Sequence, residues 1–258
     1  MTPALRHVLA VGVGAGDPEH MTVAAIRALN DVDVIFELER ATTDLTAARD
    51  ALVRRFVDRV PPPRLVRVRE PARDRTASAY AQAVGDWRTG RAEAWETVIA
   101  GELAEGQSGA FLVWGDPSLY DSTIAVLDEV LARGRVRFAY TVIPGISSIQ
   151  ALTAAHRVAL NRVAGAIQIT TGRLLASNGW PVGATDVVVL LDGRGAYRAV
   201  LTEPVDIYWG AYLGTPDELL VAGPLTELAD EIDRLREAAR KRNGWIMDTY
   251  LLRSRAAE

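Results

Sequence analysis

An acid and a phenol, Asp116 and Tyr120, lie in a short loop, and both side chains are of types that move protons in active sites. Residues 111–114 before the loop are all apolar, which is typical of a strand covered on both faces. A Gly-Asp-Pro sequence ends that strand, and a helix is expected over 123–132. Ligands of open α/β sheets bind at the carboxyl ends of the strands. The pattern therefore predicts that Asp116 and Tyr120 face a ligand, although Asp116 could equally cap the turn.

A second loop of similar construction follows the alternating strand at 136–142. Its sequence, Pro-Gly-Ile-Ser-Ser, ends in Ser147 and Ser148 and leads into a helix that reaches about His156. The first turn of a helix offers unpaired N–H groups, and a serine there is a common N-cap. We expect one of the two serines to be the cap and the other to be available to a ligand.

A glycine-rich turn, GVGAGDP, lies between the first predicted strand at 8–13 and a helix near 22–30. Such a turn lets the backbone approach a ligand closely. Glu37 and Glu39 end the second strand about 20 residues later, where an acid can bind a ribose in dinucleotide-binding folds. An NAD(P)-dependent oxidoreductase is therefore one possible function.

The composition narrows the choice of function. The 258 residues suffice for one large or two small domains, and 49% of them are apolar. Cysteine is absent and the three histidines are scattered, so we expect no metal centre and no thiol nucleophile. The net charge of −4 argues against non-specific nucleic-acid binding. We find neither a long apolar run nor a signal peptide, which predicts a cytoplasmic α/β protein.

The pattern of elements changes near residue 143. Residues 1–142 alternate strands and helices, which predicts a mostly parallel α/β domain. Residues 143–258 contain several strands but one clear helix, at 226–242, so a mixed sheet is expected there. Residues 49–75 contain nine arginines against four acids, which indicates either a site for a polycarboxylate or a solvated surface.

Several motifs in fixed order resemble the tetrapyrrole (corrin/porphyrin) methylases. These are VGVGAGDP at the start, VWGDPSLYDS near 115, IPGISSIQA near 145, IYWGAYLGTPDE at 207–218 and GWIMDTYLL at 244–252. The longer segments resemble the branch that methylates precorrin-5 at carbon 1 and releases the carbon-20 acetyl group as acetate. The resemblance departs from that branch at Glu39-Arg40-Ala41, where an Asp-Lys-Gly is usual.

The resemblance implies two α/β domains with S-adenosylmethionine in the cleft between them, no metal, and a homodimer. Carried over by position, the methyl donor would meet Gly115, Asp116, Leu119, Ser147, Ser148, Leu191 and Ala211. The tetrapyrrole would lie near Gly16, Asp17 and Pro18, with Arg157 and Arg173 as candidate partners for its carboxylates. Asp116 and Tyr120 would be the leading pair for proton transfer during acetyl release, with Asp17, His156, Asp192 and Asp248 as weaker candidates.

Three alternatives stay open on the sequence. One is the oxidoreductase, which leaves the loops at 111–121 and 144–148 unexplained. Another is a protein that binds a tetrapyrrole or the donor without turnover. The nearest is a sister methylase that acts at another ring carbon and retains the acetyl group.

Overall fold

The computed structural model describes residues 4–39, 43–71 and 80–255. The chain divides into two compact units. The first contains Met1–Gly14 and Pro18–Ile146, and the second contains Ala15–Asp17 and Ser147–Glu258. Each unit is built on its own five-stranded sheet.

The sheet of the first unit is parallel throughout, in the order β3-β2-β4-β1-β5. Its strands are β1 (Arg6–Gly12), β2 (Val34–Glu39), β3 (Arg64–Arg69), β4 (Ser108–Val113) and β5 (Phe138–Ile143). Its helices are α1 (Val23–Asp31), α2 (Thr43–Phe56), α3 (Tyr80–Glu102) and α4 (Thr123–Arg133). Parallel neighbours need a crossover between them, which explains the alternation of strands and helices.

Apolar side chains cover both faces of this sheet. On one face Trp95 stacks on Phe111 with ring centroids 3.9 Å apart, and Phe36 stacks on the same ring at 4.6 Å. On the other face, Leu112 packs with the helix residue Leu29. Because consecutive strand residues point to opposite faces, an unbroken apolar run in β4 is required to fill both cores.

The second unit has a mixed sheet in the order β6-β7-β10-β8-β9, as the sequence predicted. Its elements are α5 (Ser148–His156), β6 (Ile167–Thr171), α6 (Gly172–Asn178), β7 (Asp186–Leu190), β8 (Val205–Ala211), β9 (Leu219–Pro224), α7 (Leu225–Asn243) and β10 (Asp248–Ser254). Among neighbouring strands of this sheet, β6 and β7 are parallel. Strand β10 lies between β7 and β8 and is antiparallel to both, and β8 is antiparallel to β9.

The core of this unit lies under α7. Trp209, Tyr197 and Tyr250 are fully buried there, and the rings of the two tyrosines meet edge to face at 5.5 Å. Within the part of the chain that is described, no helix is both long and apolar enough to span a membrane.

Candidate active site

Three glycines meet at the carboxyl ends of β1, β4 and β5 in the first unit. A Cβ on Gly12 would lie 2.5 Å from the Gly145 nitrogen and 2.8 Å from the Gly115 oxygen. A Cβ on Gly145 would overlap that same oxygen, and Gly115 has a φ of 72°, in the left-handed region. The backbones therefore pack directly on one another, which no residue with a side chain permits.

The glycine-rich turn is tied to this junction and does not open into a helix. The Gly115 N–H donates to the Gly14 oxygen at 2.8 Å, and α1 begins only at Val23. In a dinucleotide-binding fingerprint the helix begins directly after the glycines. Helix α1 does not, since it begins several residues later. Burial and a hydrogen bond with Asp50 raise the pKa of Glu37, and Asp50 rather than a ligand is its side-chain partner in this structure. These features count against the oxidoreductase.

Asp116 connects the two predicted loops of the first unit. Its Oδ2 accepts a hydrogen bond from the Gly145 N–H at 2.9 Å, and its Oδ1 accepts one from the Ser118 N–H at 2.8 Å and another from the Ser118 hydroxyl. Burial alone would raise the pKa of Asp116, but these donors outweigh it and lower the pKa below its usual value. An acid held in this way is a weak base and a strong anchor for the loop.

Tyr120 follows in the same loop with an unusual backbone. Its φ is 50°, which is rare for an aromatic residue, and 46% of its surface is exposed. Partial burial raises the pKa of its phenol, so the group stays protonated at neutral pH. Leu119 before it is half-buried, and its N–H donates to the backbone carbonyl oxygen of Asp116 at 3.2 Å. The loop thus presents a proton donor on a constrained backbone.

The two serines have different roles at the start of α5 in the second unit. Ser147 is the N-cap: its Oγ accepts from the Ile149 N–H at 3.2 Å and donates to the Gln150 side chain. Ser148 Oγ accepts a hydrogen bond from the Thr249 hydroxyl at 3.1 Å. The cap supports the helix end that exposes the remaining N–H groups.

Leu191 and Ala211 lie at the carboxyl ends of β7 and β8. Leu191 has a φ of 54° and is 66% exposed, whereas Ala211 is fully buried. Tyr212, directly after Ala211, also has a positive φ, 51°. Both strands therefore end in a left-handed residue that turns the chain sharply.

The residues expected on the tetrapyrrole side divide between the two units. Gly16 and Asp17 belong to the second unit, where a Cβ on Gly214 would lie 2.6 Å from the Asp17 nitrogen. Pro18 belongs to the first unit and accepts a hydrogen bond from the Met21 N–H at 3.1 Å.

The two candidate arginines are exposed in the second unit. Arg157 is the left-handed C-cap of α5, and Arg173 lies in the first turn of α6. Of the arginine-rich stretch, Arg59 donates to the Val32 carbonyl at 2.6 Å, and Arg64 pairs with Glu102 at 2.9 Å. Arg73, Arg75, Arg40 and Ala41 lie outside the described residues.

Sequence reasoning did not identify the backbone contacts of Gly12 and Gly145, and it named Asp192, Asp248 and His156 only as weaker candidates for proton transfer. Asp192 and Asp248 are buried and accept several hydrogen bonds, and His156 contacts the Trp209 carbonyl at 3.0 Å. The available signal was a glycine at the end of each strand, because glycine there permits close backbone contact.

Comparisons with known proteins point to one family. Residues 7–229 match the family model of the Tetrapyrrole (Corrin/Porphyrin) Methylases. The chain is 47% identical over 254 residues to Precorrin-6A synthase [deacetylating] of Sinorhizobium sp, covering 98% of this chain and 97% of the relative.

Two solved structures resemble the fold. A cobalamin synthesis related protein (CobF) from Corynebacterium diphtheriae has a TM-score of 0.84 at 35% identity, covering 97% of this chain and 99% of that one. A uroporphyrin-III C-methyl transferase from Thermus thermophilus, complexed with S-adenyl homocysteine, has a TM-score of 0.58 at 18% identity, covering 95% and 96%. On the full extent of these matches, the chain belongs to the tetrapyrrole (corrin/porphyrin) methylase family.

Proposed function

We propose that this methylase transfers a methyl group from S-adenosylmethionine to carbon 1 of precorrin-5, releases the carbon-20 acetyl group as acetate, and forms precorrin-6A in cobalamin biosynthesis. The observation that carries the proposal is the 47% identity to Precorrin-6A synthase [deacetylating] over 98% of this chain. The match extends over nearly the whole of both chains, so it spans the loops as well as the core.

The donor is assigned to residues at strand ends and at one helix start. They are Gly115, Asp116, Leu119, Ser147, Ser148, Leu191 and Ala211. Two observations support this set. The Gly115 loop follows the carboxyl end of β4, where ligands of α/β sheets bind, and the Ser147 side chain bonds the Ile149 N–H but not the other N–H groups of the first turn of α5. Leu191 adds an exposed apolar side chain.

The protein's contribution to methyl transfer is mainly positional. S-Adenosylmethionine carries an already activated methyl group, so the transfer to an electron-rich ring carbon is an in-line displacement that forms one C–C bond and breaks one C–S bond. No strong base is needed for that step, and the side chains hold the two reactants in line and exclude water.

Acetyl release requires proton transfer, because water adds to the acetyl carbonyl before the bond to carbon 20 breaks. We assign this step to the Asp116 and Tyr120 pair, with Tyr120 as the proton donor and Asp116 as the residue that orients its loop. The protonated phenol and the three donors around Asp116 support this division. If Tyr120→Phe released acetate at the wild-type rate, the donor role would be wrong.

The tetrapyrrole is assigned to Gly16, Asp17 and Pro18, with Arg157 and Arg173 binding its carboxylates. Both arginines are exposed residues, which supports this assignment. We also propose a cytoplasmic homodimer, which light scattering and cell fractionation would test.

A sister methylase is the second candidate. The chain is 32% identical over 147 residues to Precorrin-2 C(20)-methyltransferase of Sinorhizobium sp, although only 55% of this chain is covered. A product that has gained a methyl group and kept its acetyl group would favour this candidate.

Calorimetric titration of the purified chain with S-adenosylmethionine, S-adenosylhomocysteine and NAD tests the donor assignment. We expect saturable binding of the first two and none of NAD. Saturable NAD binding without donor binding would contradict the proposal. Because the donor site can depend on the tetrapyrrole, the titration is repeated with precorrin-5 present, and failure to bind the donor in both would also contradict it.

A further inference from the structure

Helix α7 presents an arginine at a core position. Its buried residues recur at helical spacing and are Leu225, Ala229, Ile232, Arg236 and Ala239. The pattern calls for an apolar side chain at 236, yet Arg236 is buried there, only 4% exposed. Arginine is almost never buried unless its donors are paired.

The Arg236 guanidinium joins two separate strand ends. Its Nη1 forms an ion pair with Asp248, the first residue of β10, and its Nη2 donates to the carbonyl of Asp192 at 2.7 Å, just after β7. A planar guanidinium can bind two acceptors in fixed directions at once, whereas a lysine ammonium cannot reproduce that geometry.

The Asp192 carboxylate holds the turn after β7 from inside. Its Oδ1 accepts from the Gly195 N–H at 2.9 Å, and its Oδ2 accepts from the Ala196 N–H at 2.6 Å and the Tyr250 hydroxyl at 2.7 Å. Leu191 directly before it adopts a left-handed φ that leucine avoids. Such a conformation persists where neighbouring contacts determine it.

Asp248 holds the end of β8 through a strand pairing and a side-chain hydrogen bond. It pairs in register with Ala211, and its carboxylate accepts from the Trp209 indole N–H at 2.8 Å. The strand end that carries Ala211 and the turn that carries Leu191 are therefore both connected to Arg236.

We propose that Arg236 is a positioning residue for the methyl donor: it sets the distance between Leu191 and Ala211. The inference rests on the proposed function, which assigns both residues to S-adenosylmethionine. A buried ion pair contributes little stability over a well-packed apolar residue, so stability alone does not explain an arginine here. Since Arg236 acts through the backbone of these two segments, its replacement should weaken donor binding more than tetrapyrrole binding.

Arg236→Lys tests the inference, with Arg253→Lys as its matched control. Arg253 pairs with Asp186 at 2.6 Å and donates to the Ala159 carbonyl at 2.7 Å, so it is also a partly buried arginine with a carboxylate and a carbonyl partner. It lies at the opposite end of β7, however, where Asp186 begins the strand.

We expect Arg236→Lys to raise the calorimetric Kd for S-adenosylmethionine about tenfold, the effect of a small misplacement of contacts. The KM for the tetrapyrrole at saturating donor should change less than about twofold. Arg253→Lys should keep the wild-type donor Kd. An unchanged Kd in folded Arg236→Lys, or equal weakening in both variants, would overturn the inference.

Tyr250→Phe provides a second measurement if Arg236→Lys fails to fold. It removes only the hydroxyl on Asp192, whereas Tyr197→Phe removes a hydroxyl on Asp233 from a ring just as buried. We expect weaker donor binding in the first variant alone, and equal affinities would overturn the inference. A wild type that binds no donor, with or without precorrin-5, would instead overturn the proposed function and this inference with it.

Discussion

At the scale of single residues, hydrogen-bond partners decide what each polar group can do. Asp116 and Tyr120 lie in one loop, yet donors around the first lower its pKa while partial burial raises that of the second. The sequence showed both residue types but not this difference, because the Gly145 N–H that reaches Asp116 comes from another strand end.

Asp116→Asn should weaken both the loop and the donor site. The asparagine NH2 group would replace one carboxylate oxygen and would face the N–H of Gly145 or of Ser118, so that hydrogen bond would be lost. Losing it should lower the free energy of unfolding by about 1–3 kcal/mol. We expect the Kd for S-adenosylmethionine to rise about tenfold. Urea unfolding and calorimetry measure the two effects.

Asp121→Asn is the control for this change. The Asp121 carboxylate accepts from the Thr123 N–H at 2.6 Å, a bond local to the start of α4. The Asp121→Asn variant should have a lower free energy of unfolding than the wild type and an unchanged Kd for S-adenosylmethionine. Equal loss of affinity in both variants would contradict the connecting role of Asp116.

His156 makes stability depend on pH. Burial lowers its pKa below the usual 6.5, although the bond to the Trp209 carbonyl favours the charged form. As pH falls below 6.5 the unfolded chain takes up a proton that the folded chain resists, so stability falls. His156→Gln should lose less stability than the wild type between about pH 7.5 and about pH 5.5 in urea titrations. Parallel pH profiles would show that this histidine does not contribute.

At the scale of elements, glycines at strand ends determine how closely the loops pack. Gly12, Gly115 and Gly145 bring three backbone segments into contact, and this requirement is invisible in a pattern of apolar and polar residues. The same contacts hold the loop that carries Asp116 and Tyr120. Packing of elements therefore extends directly to the geometry of the candidate site.

Gly145→Ala should disrupt this junction. Its Cβ would overlap the Gly115 oxygen, and because backbone atoms cannot rotate away we expect a loss of about 3 kcal/mol in the free energy of unfolding. Gly101→Ala in α3 is the control, since no atom lies within 4 Å of the added Cβ. A helical Gly→Ala change should stabilise by about 0.5–1 kcal/mol. Similar unfolding midpoints for the two variants would contradict the packing argument.

The sequence predicted most elements but misjudged some of their boundaries. The strand expected at 111–114 is β4 (Ser108–Val113), because pairing with β1 and β2 extends it through residues of low strand propensity. Gly90, a residue of low helix propensity, does not interrupt α3, and it packs beside Pro71. Local propensity cannot show such tertiary contacts.

The sequence could not reveal the Arg236 network either. Helical periodicity marked 226–242 as a helix, but Arg236 contacts Asp192, which lies far away in the chain. The candidate donor residues were carried over by position from the family resemblance, and the rule that ligands bind at the carboxyl ends of strands indicated only the loop after β4 independently. The buried partners that position them depend on the antiparallel pairing of β10 with β7 and β8, and the motif at 244–252 does not show which strands it pairs with.

At the scale of the whole molecule, the net negative charge of the chain repels the negatively charged substrate that we propose. The chain carries a net charge of −4, and the proposed substrate bears several carboxylates, so local cations must offset the repulsion. Arg157 and Arg173 are exposed and suit this role.

Replacing Arg157 and Arg173 together by glutamine should raise the KM for the tetrapyrrole more than it lowers kcat. The reason is that these cations are assigned to ground-state binding of carboxylates remote from the reacting carbon. Steady-state kinetics at saturating donor measures both constants. A fall in kcat with an unchanged KM would count against the binding role.

The most direct test of the whole account is a turnover experiment with precorrin-5 and methyl-labelled S-adenosylmethionine, which measures tetrapyrrole mass and acetate together. The account predicts one methyl group gained and one acetate released per tetrapyrrole, with S-adenosylhomocysteine as the other product. A methylated product that retains its acetyl group, or donor binding without any methyl transfer, would contradict it.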